Sequence, residues 1–272
     1  MPDTAASVRL DAELVRRGLS RSRAVAVEAI ANGLVTVDGR PVAKASTPVT
    51  SESTIEVAGA DHYVSRGAHK LIAALDAFDV DPAGRVALDA GASTGGFTQV
   101  LLERGASRVF AVDVGHGQLA SKVQEDPRVA NLEGWNLRHL TRESPAFSTY
   151  AGELAQSGWP SLVVGDLSFI SLTQVLEPLA ALAEPDAELL LLVKPQFEVG
   201  RGGVREGIVR DRALRHDAAT TVLWAAWDLG LGARGIVDSP IPGGGGNREY
   251  LVHLHRTAPD PSHLRTVIPL LA

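Results

Sequence analysis

Hydrophobic positions change rhythm along this chain. Leu10, Leu14 and Val15 begin a helical pattern, Gly18 breaks it, and Ser20 is placed to cap a second helix running to Ile30. In GLVTVDGRPV the apolar residues Val35, Val37 and Val42 flank Asp38-Gly39, a strong hairpin-turn signal. Two helices and a hairpin are therefore predicted over residues 8–58.

From Arg85 onward, apolar runs alternate with helical stretches, the signature of a βαβ sheet. Strands are predicted at 86–91, 109–114, 161–167, 188–195, 233–239 and 249–255, with a weaker one near 129–132. Helices are expected at about 95–104, 118–123, 172–183 and 212–229. In the last, Leu214, Ala218, Val222, Ala225 and Leu229 fall on one stripe. Only the glycine-rich loop 240–247 separates the final two strands, too short for a crossover helix, so that pair should be antiparallel. The expected fold is α/β: a Rossmann-like seven-stranded sheet, six strands parallel and one reversed at its edge, preceded by a small α+β domain. The divisions read as a domain over 1–59, a linker at 60–64 and a second domain over 65–272.

Composition narrows the chemistry. The 272 residues are 45% hydrophobic and 21% charged, close to the globular average, and contain no cysteine. Disulfides, thiolate zinc sites and cysteine nucleophiles are thereby excluded. The longest apolar run, Leu189–Val193, suits a buried strand and falls far short of a membrane span. The opening MPDTAASVRLDAEL has no basic segment followed by an apolar stretch, so no secretory leader and a cytoplasmic location are expected. The net charge of -6 argues against a uniformly basic surface but leaves room for a local patch. Arg16, Arg17, Arg21 and Arg23 make such a patch, with no acid between Leu14 and Val27. Arg201, Arg205, Arg210, Arg212 and Arg215 make a second basic stretch, directly after LVKPQFEVG. Only four of the 26 basic residues are lysines: Lys44, Lys70, Lys122 and Lys194. Where arginine is the default, each lysine raises the question of a required primary amine, which can act as a base as arginine cannot.

Several constellations could carry chemistry. LDAGASTGGF follows a predicted strand and opens a helix, where glycines admit a ligand to the backbone and unpaired N–H groups face it. An S-adenosylmethionine site, a nucleotide site or a tight turn would all suit it. Asp113 stands at the end of the next strand, placed to accept hydrogen bonds from ribose hydroxyls or to cap a helix. Asp166 and Lys194 end the fourth and fifth strands, and carboxyl ends of strands border the ligand crevice in an open α/β sheet. Lys70 lies in SRGAHKL, and Glu249 begins the last strand. The four tryptophans read as packing residues rather than base-stacking platforms. The eight histidines show no ligand spacing, so no metal is expected.

SRGAHKL, LDAGASTGGFT, AVDVGHGQL, GDLSFISL, LVKPQFEVGR and GNREYLVHL, with RGLSRSRA and GLVTVDGRPV before them, resemble the TlyA, or hemolysin A, family in order over nearly the whole chain. The resemblance implies an S4-like RNA-binding domain joined to an FtsJ-like methyltransferase domain. It further implies methyl transfer from S-adenosylmethionine to the 2′-hydroxyl of cytidines in 23S rRNA and, in longer members, 16S rRNA. The partners would be rRNA within the 50S and 30S subunits, with no membrane and no metal. The family's Lys-Asp-Lys-Glu tetrad maps onto Lys70, Asp166, Lys194 and Glu249, with Lys194 nearest the reacting oxygen. Its cofactor contacts map onto Asp89, Gly91, Ser93, Gly95, Gly96, Asp113 and Asp166, and RNA contacts onto Arg16, Arg17, Arg21, Arg23 and Arg66. Asp61-His62-Tyr63-Val64 departs from the family's Arg-x-Trp-Val, with the arginine's charge reversed. An RNA-binding protein with an inactive methyltransferase fold, or a membrane-lytic hemolysin, stand as alternatives.

Overall fold

The computed structural model describes residues 7–20, 22–31, 33–57 and 62–272, and divides into two compact units between His62 and Tyr63. In the first, helices Leu10–Arg16 and Arg23–Ala31 pack with Val35, Val49 and Ile55 around Leu10, Leu14, Ala26 and Ile30. Strand Val35–Val37 turns through Asp38 and Gly39, both at positive φ as a tight hairpin requires, into Arg40–Pro41. Ile55–Val57 pairs on its other side, and Val8–Arg9 pairs with Pro48–Val49. The sequence pattern does not foretell the last two pairings. Their strands are two or three residues long, below the length at which alternation becomes visible.

The second unit is built on seven strands: β1 Val86–Ala90, β2 Arg108–Asp113, β3 Val129–Glu133, β4 Leu162–Gly165, β5 Glu188–Val193, β6 Gly232–Asp238 and β7 Tyr250–His255. Their order is β6-β7-β5-β4-β1-β2-β3, with β7 antiparallel to both neighbours and the others parallel. The reversed strand is therefore not at the edge, as expected, but between β5 and β6. The long helix after β5 sets β6 one strand-width out, and the short glycine-rich return folds β7 back into the gap.

The helices are α1 Ala68–Phe78, α2 Gly96–Glu103, α3 Ser121–Gln124, α4 Ala151–Ser157, α5 Leu176–Leu182, α6 Pro195–Glu198 and α7 Arg212–Asp228. One core lies on each face of the sheet, the α1/α2 side gathered around Leu71, Leu101 and Val164, the other around Phe110, Leu179 and Val222. The helix expected at 118–123 shrinks to α3. The cause is Glu133 at the end of β3, whose carboxylate accepts from the backbone N–H groups of Gly117, Gln118 and Leu119 at 2.9, 2.6 and 3.0 Å and holds them as a loop. The α7 stripe is also rotated from the expected one: Ala218, Ala219, Val222, Leu223 and Ala226 are buried, while Leu229 is exposed. Small residues let the helix approach the sheet closely, and Trp224 and Trp227 turn outward.

At the edge of the sheet away from the strand ends that form the crevice, His253 on β7 is buried beside Glu188 on β5, Arg234 on β6, His255 on its own strand and Phe78 on α1. Its Nε2 is 3.2 Å from Glu188 Oε1 without the alignment of a hydrogen bond. Burial outweighs the attraction of Glu188 and pushes the imidazole down to about 4. An unfolded histidine titrates near 6.5, so the unfolded chain gains a proton first as pH falls. The contribution of His253 to stability should be full above about pH 6.5 and be lost toward about pH 4, by up to roughly 3 kcal/mol. Urea melts of wild type and His253→Phe over that interval isolate it: the stability of wild type relative to the variant should fall toward pH 4, and a pH-independent difference would assign the titration elsewhere.

Candidate active site

The carboxyl ends of β1, β2, β4 and β5 open on one edge of the sheet, where four side chains of the sequence-assigned tetrad meet. Asp166 follows β4 and Lys194 follows β5. Because β7 runs in reverse, its start lies at this same edge, and the pairing of Val193 with Tyr250 sets Lys194 across from Glu249. Lys70 arrives from the first turn of α1. Lys70 Nζ donates to Glu249 Oε2 at 2.7 Å and to Asp166 Oδ2 at 3.3 Å. Lys194 Nζ is 2.6 Å from Asp166 Oδ1, a close charge contact rather than an aligned hydrogen bond, and donates to Ser168 Oγ at 2.7 Å. Both lysines are only 7% exposed and Glu249 is 3% exposed. Two amines and two carboxylates thus alternate in one chain of contacts, the arrangement in which buried charge is tolerated.

The neighbouring crevice is lined by acids. Gly91, Ser93 and Gly95 all take positive φ as the loop after β1 turns into α2. Gly95 also abuts Leu119 and Val123, where a β-carbon would stand 2.8 and 3.0 Å from their side chains. Gly96, the first residue of α2, is buried behind this turn. Asp113, ending β2, accepts from Ser93 N at 2.8 Å and Gly115 N at 2.7 Å, one bond per carboxylate oxygen, which leaves a lone pair on each. Asp89 on β1 is fully buried. Its Oδ2 accepts from Thr98 at 2.6 Å and its Oδ1 has no partner among the described residues. Burial, reinforced by the charges of Asp166 and Asp113, pushes this carboxyl up to about 7 against the opposing Thr98 bonds. A crevice ringed by three acids and a glycine turn fits a cationic ligand with ribose hydroxyls, as S-adenosylmethionine is.

Three further residues escaped the sequence reading. Ser168 is Lys194's second partner. Glu198 on α6, its carboxyl raised by burial, accepts from Ser171 Oγ and from Leu172 N at 2.8 Å, and so fixes the loop that carries Ser168. Phe169 is 92% exposed at a φ of 64°, with its ring 5.3 Å from that of Phe197. Phe169 is thus a bulky residue held in the left-handed region and turned to solvent, three residues after Asp166. Only its position three residues after Asp166 could have signalled it.

Residues 63–256 match the family model for FtsJ-like methyltransferase, and residues 8–55 match that for the S4 domain. The chain is 50% identical over 255 residues to the 16S/23S rRNA (cytidine-2′-O)-methyltransferase TlyA of Mycobacterium tuberculosis, covering 93% of this chain and 91% of that one. The chain belongs to the TlyA family. A Campylobacter jejuni member, named a 23S rRNA (cytidine-2′-O)-methyltransferase, is 34% identical over 193 residues, covering 70% of each chain. Among solved structures, a Streptococcus thermophilus protein described as a hemolysin superposes with a TM-score of 0.73 at 36% identity, covering 97% of this chain and 95% of that one.

In this TlyA-family chain the arginines assigned to RNA are unequal. Buried Glu13 holds Arg16 and Arg17, each through Nε at 2.6 Å, and buried Asp11 holds Arg9 and Arg23 at 3.0 and 2.9 Å. Arg17 is further committed to the carbonyls of Thr50, Ser51 and Ser53, whereas Arg16 and Arg23 are mostly exposed. Arg21 lies outside the described residues, and Arg66 is exposed before α1. The arginine bonds draw Glu13 down to about 2 against its burial. Glu13→Gln should therefore weaken RNA binding several-fold although it makes the protein more positive, because the guanidinium pair loses its template. Filter binding with the folded variant checks this, and tighter binding would show that net charge alone governs the face. In the second basic stretch, Arg212 donates to the carbonyls of Pro269 and Leu271, and Arg215 to those of Val209 and Arg210. Those two serve the fold, and Arg205 and Arg210 remain exposed.

Proposed function

We propose that this chain methylates the ribose 2′-hydroxyl of cytidine in 23S rRNA, and also in 16S rRNA, with S-adenosylmethionine as methyl donor. The observation that carries this reading is the convergence of Lys70, Asp166, Lys194 and Glu249 on one strand-end edge beside the acid-lined crevice. The higher identity to the relative named for both rRNAs than to the one named for 23S alone supports the double target. The proposed division is an RNA-binding domain over 1–59, a linker at 60–64 and a catalytic domain over 65–272, acting on 50S and 30S subunits in the cytoplasm. No helix among the described residues is long and apolar enough to cross a membrane, and none of their side chains form a metal-ligating group of three.

When bound, S-adenosylmethionine supplies an electrophilic methyl group on a cationic sulfur. Asp113 would hold its ribose hydroxyls, and Gly91, Ser93, Gly95 and Gly96, with Asp89 and Asp166, would line its site. The protein's own task is then to position the 2′-oxygen and remove its proton. An ammonium carries three N–H donors. Lys194 directs one to Ser168 and one face to Asp166, leaving a third direction for the substrate oxygen. There Lys194, once it has given up one proton, meets the 2′-hydroxyl with a lone pair in place of the third N–H and accepts its proton, and Asp166 at 2.6 Å compensates the ammonium that forms. Lys70 ties Asp166 to Glu249 and keeps both carboxylates in place. Phe169 offers an apolar ring to the base of the target nucleotide.

The test is transfer of labelled methyl from S-adenosylmethionine into purified 30S and 50S subunits, followed by mapping of the modified riboses. Labelled 2′-O-methylcytidine in both is expected. Label in neither, from protein that binds the cofactor, would reject the enzyme and leave an RNA-binding protein with an idle fold.

A further inference from the structure

The turn at residues 205–208 is held more firmly than a surface turn requires. Arg205 and Ile208 exchange backbone hydrogen bonds at 3.0 and 2.9 Å, and Glu206 and Gly207 between them both take positive φ. Beneath the turn lies Asn247, 4% exposed. Its Nδ2 donates to the carbonyls of Gly207 at 2.8 Å and Gly244 at 3.0 Å, while its Oδ1 accepts from Val209 N at 3.2 Å. From α7, Arg215 donates to the carbonyls of Arg210 and Val209 at 2.8 and 3.3 Å. The turn is thus pinned from both sides, and no side chain at its tip enters the core.

The same asparagine reaches the catalytic edge. Gly243 N donates to the Asn247 carbonyl at 2.9 Å, and a β-carbon on Gly243 would stand 2.0 Å from Glu249 Oε1, so this loop packs directly on the tetrad. Three exposed arginines lie on the segments that Asn247 joins: Arg205 and Arg210 on the clasped segment and Arg248 next to Asn247 in sequence. Glu206 is the one acid on the turn, and its pairing with Arg210 is a loose 3.6 Å surface contact. Cationic side chains carried on a pinned backbone, near a centre that acts on a ribose, match the phosphates on either side of that ribose.

We propose that the 205–210 turn with Arg248 is a phosphate-gripping surface for the RNA strand flanking the target ribose, and that Asn247 is the positioning residue coupling this surface to Glu249. The proposal rests on the rRNA methyltransferase reading and adds to it where the catalytic unit holds its substrate. Orienting the strand at the reaction edge is distinct from the binding offered by the N-terminal arginines.

Steady-state methylation of ribosomal subunits by full-length protein tests it, with S-adenosylmethionine affinity measured by calorimetry. Arg205→Gln/Arg210→Gln should raise KM for the subunit about tenfold, leave kcat at saturating subunit within about twofold, and flatten the dependence of log KM on log salt by about one unit for each phosphate that is no longer neutralised. Unchanged KM and salt dependence would overturn the surface. Asn247→Ala should raise KM and also lower kcat, because both the turn and the Gly243 loop lose their tie. Asn247→Asp should not rescue it, since a carboxylate cannot donate to the two carbonyls. Combining Asn247→Ala with the arginine pair should add little to KM, and additive effects would overturn the coupling. The exposed arginine variants keep the surface testable should Asn247→Ala fail to fold. Failure of the underlying reading would look different, as wild-type protein would then label neither subunit.

Discussion

Lys194→Met protein should fold, bind S-adenosylmethionine as the wild type does, and transfer methyl groups about 10²- to 10⁴-fold more slowly, the range supplied by a positioned proton-transfer group. The geometry explains why the loss should be confined to chemistry. Removing the Lys194 amine leaves Asp166 with Lys70 at 3.3 Å and with a partly solvated carboxylate, so no buried charge is stranded. Ser168 loses one donor, but its hydroxyl can turn to water. Lys194→Arg should fail nearly as badly. A guanidinium stays protonated, and its planar fork cannot occupy the space of an amine between Asp166 and Ser168. Single-turnover rates with saturating subunit and cofactor isolate the step. Near-normal turnover of Lys194→Met would remove Lys194 from the reaction and shift attention to Asp166.

Half of the proposed tetrad was legible in the sequence from topology, and Lys70 and Glu249 took their assignment from the family resemblance. Residues at the carboxyl ends of parallel strands share one edge, which placed Asp166 and Lys194 together. In the structure Glu249 meets them because a reversed strand starts where parallel ones finish. The scarcity of lysine in an arginine-rich chain drew notice to four amines, and among them the strand-end place of Lys194 favoured it. What stayed hidden depends on contacts that sequence spacing does not encode. The arginine run after Leu14 looks like bare positive charge until Asp11 and Glu13, one turn earlier, are seen folded beneath it. Residues 118 and 119 look helical until Glu133, fourteen or more positions later, takes their N–H groups. The inner place of β7 follows from the reach of α7, and the loop 240–247 would be as compatible with an edge strand.

Lys70→Met should behave oppositely to Lys194→Met, unfolding more easily as well as losing activity. Its amine lies 2.7 Å from Glu249, whose carboxylate is 3% exposed and has no other polar partner shown among the described side chains. Removing one member of a buried pair leaves an uncompensated charge and costs about 3–5 kcal/mol. Replacing both members by apolar side chains of similar volume often restores stability, since neither charge then needs compensation. Lys70→Met/Glu249→Met should therefore regain most of the urea midpoint lost by Lys70→Met while remaining inactive, because Asp166 has lost the tie that orients it toward Lys194. Glu249→Met alone should cost less than Lys70→Met, as the lysine keeps Asp166 at 3.3 Å. This ordering separates holding the fold from serving the reaction. A Lys70→Met protein as stable as wild type would mean that water reaches Glu249 freely. Methyl transfer regained in the double variant would mean that Lys70 and Glu249 support the edge of the sheet and take no part in the chemistry.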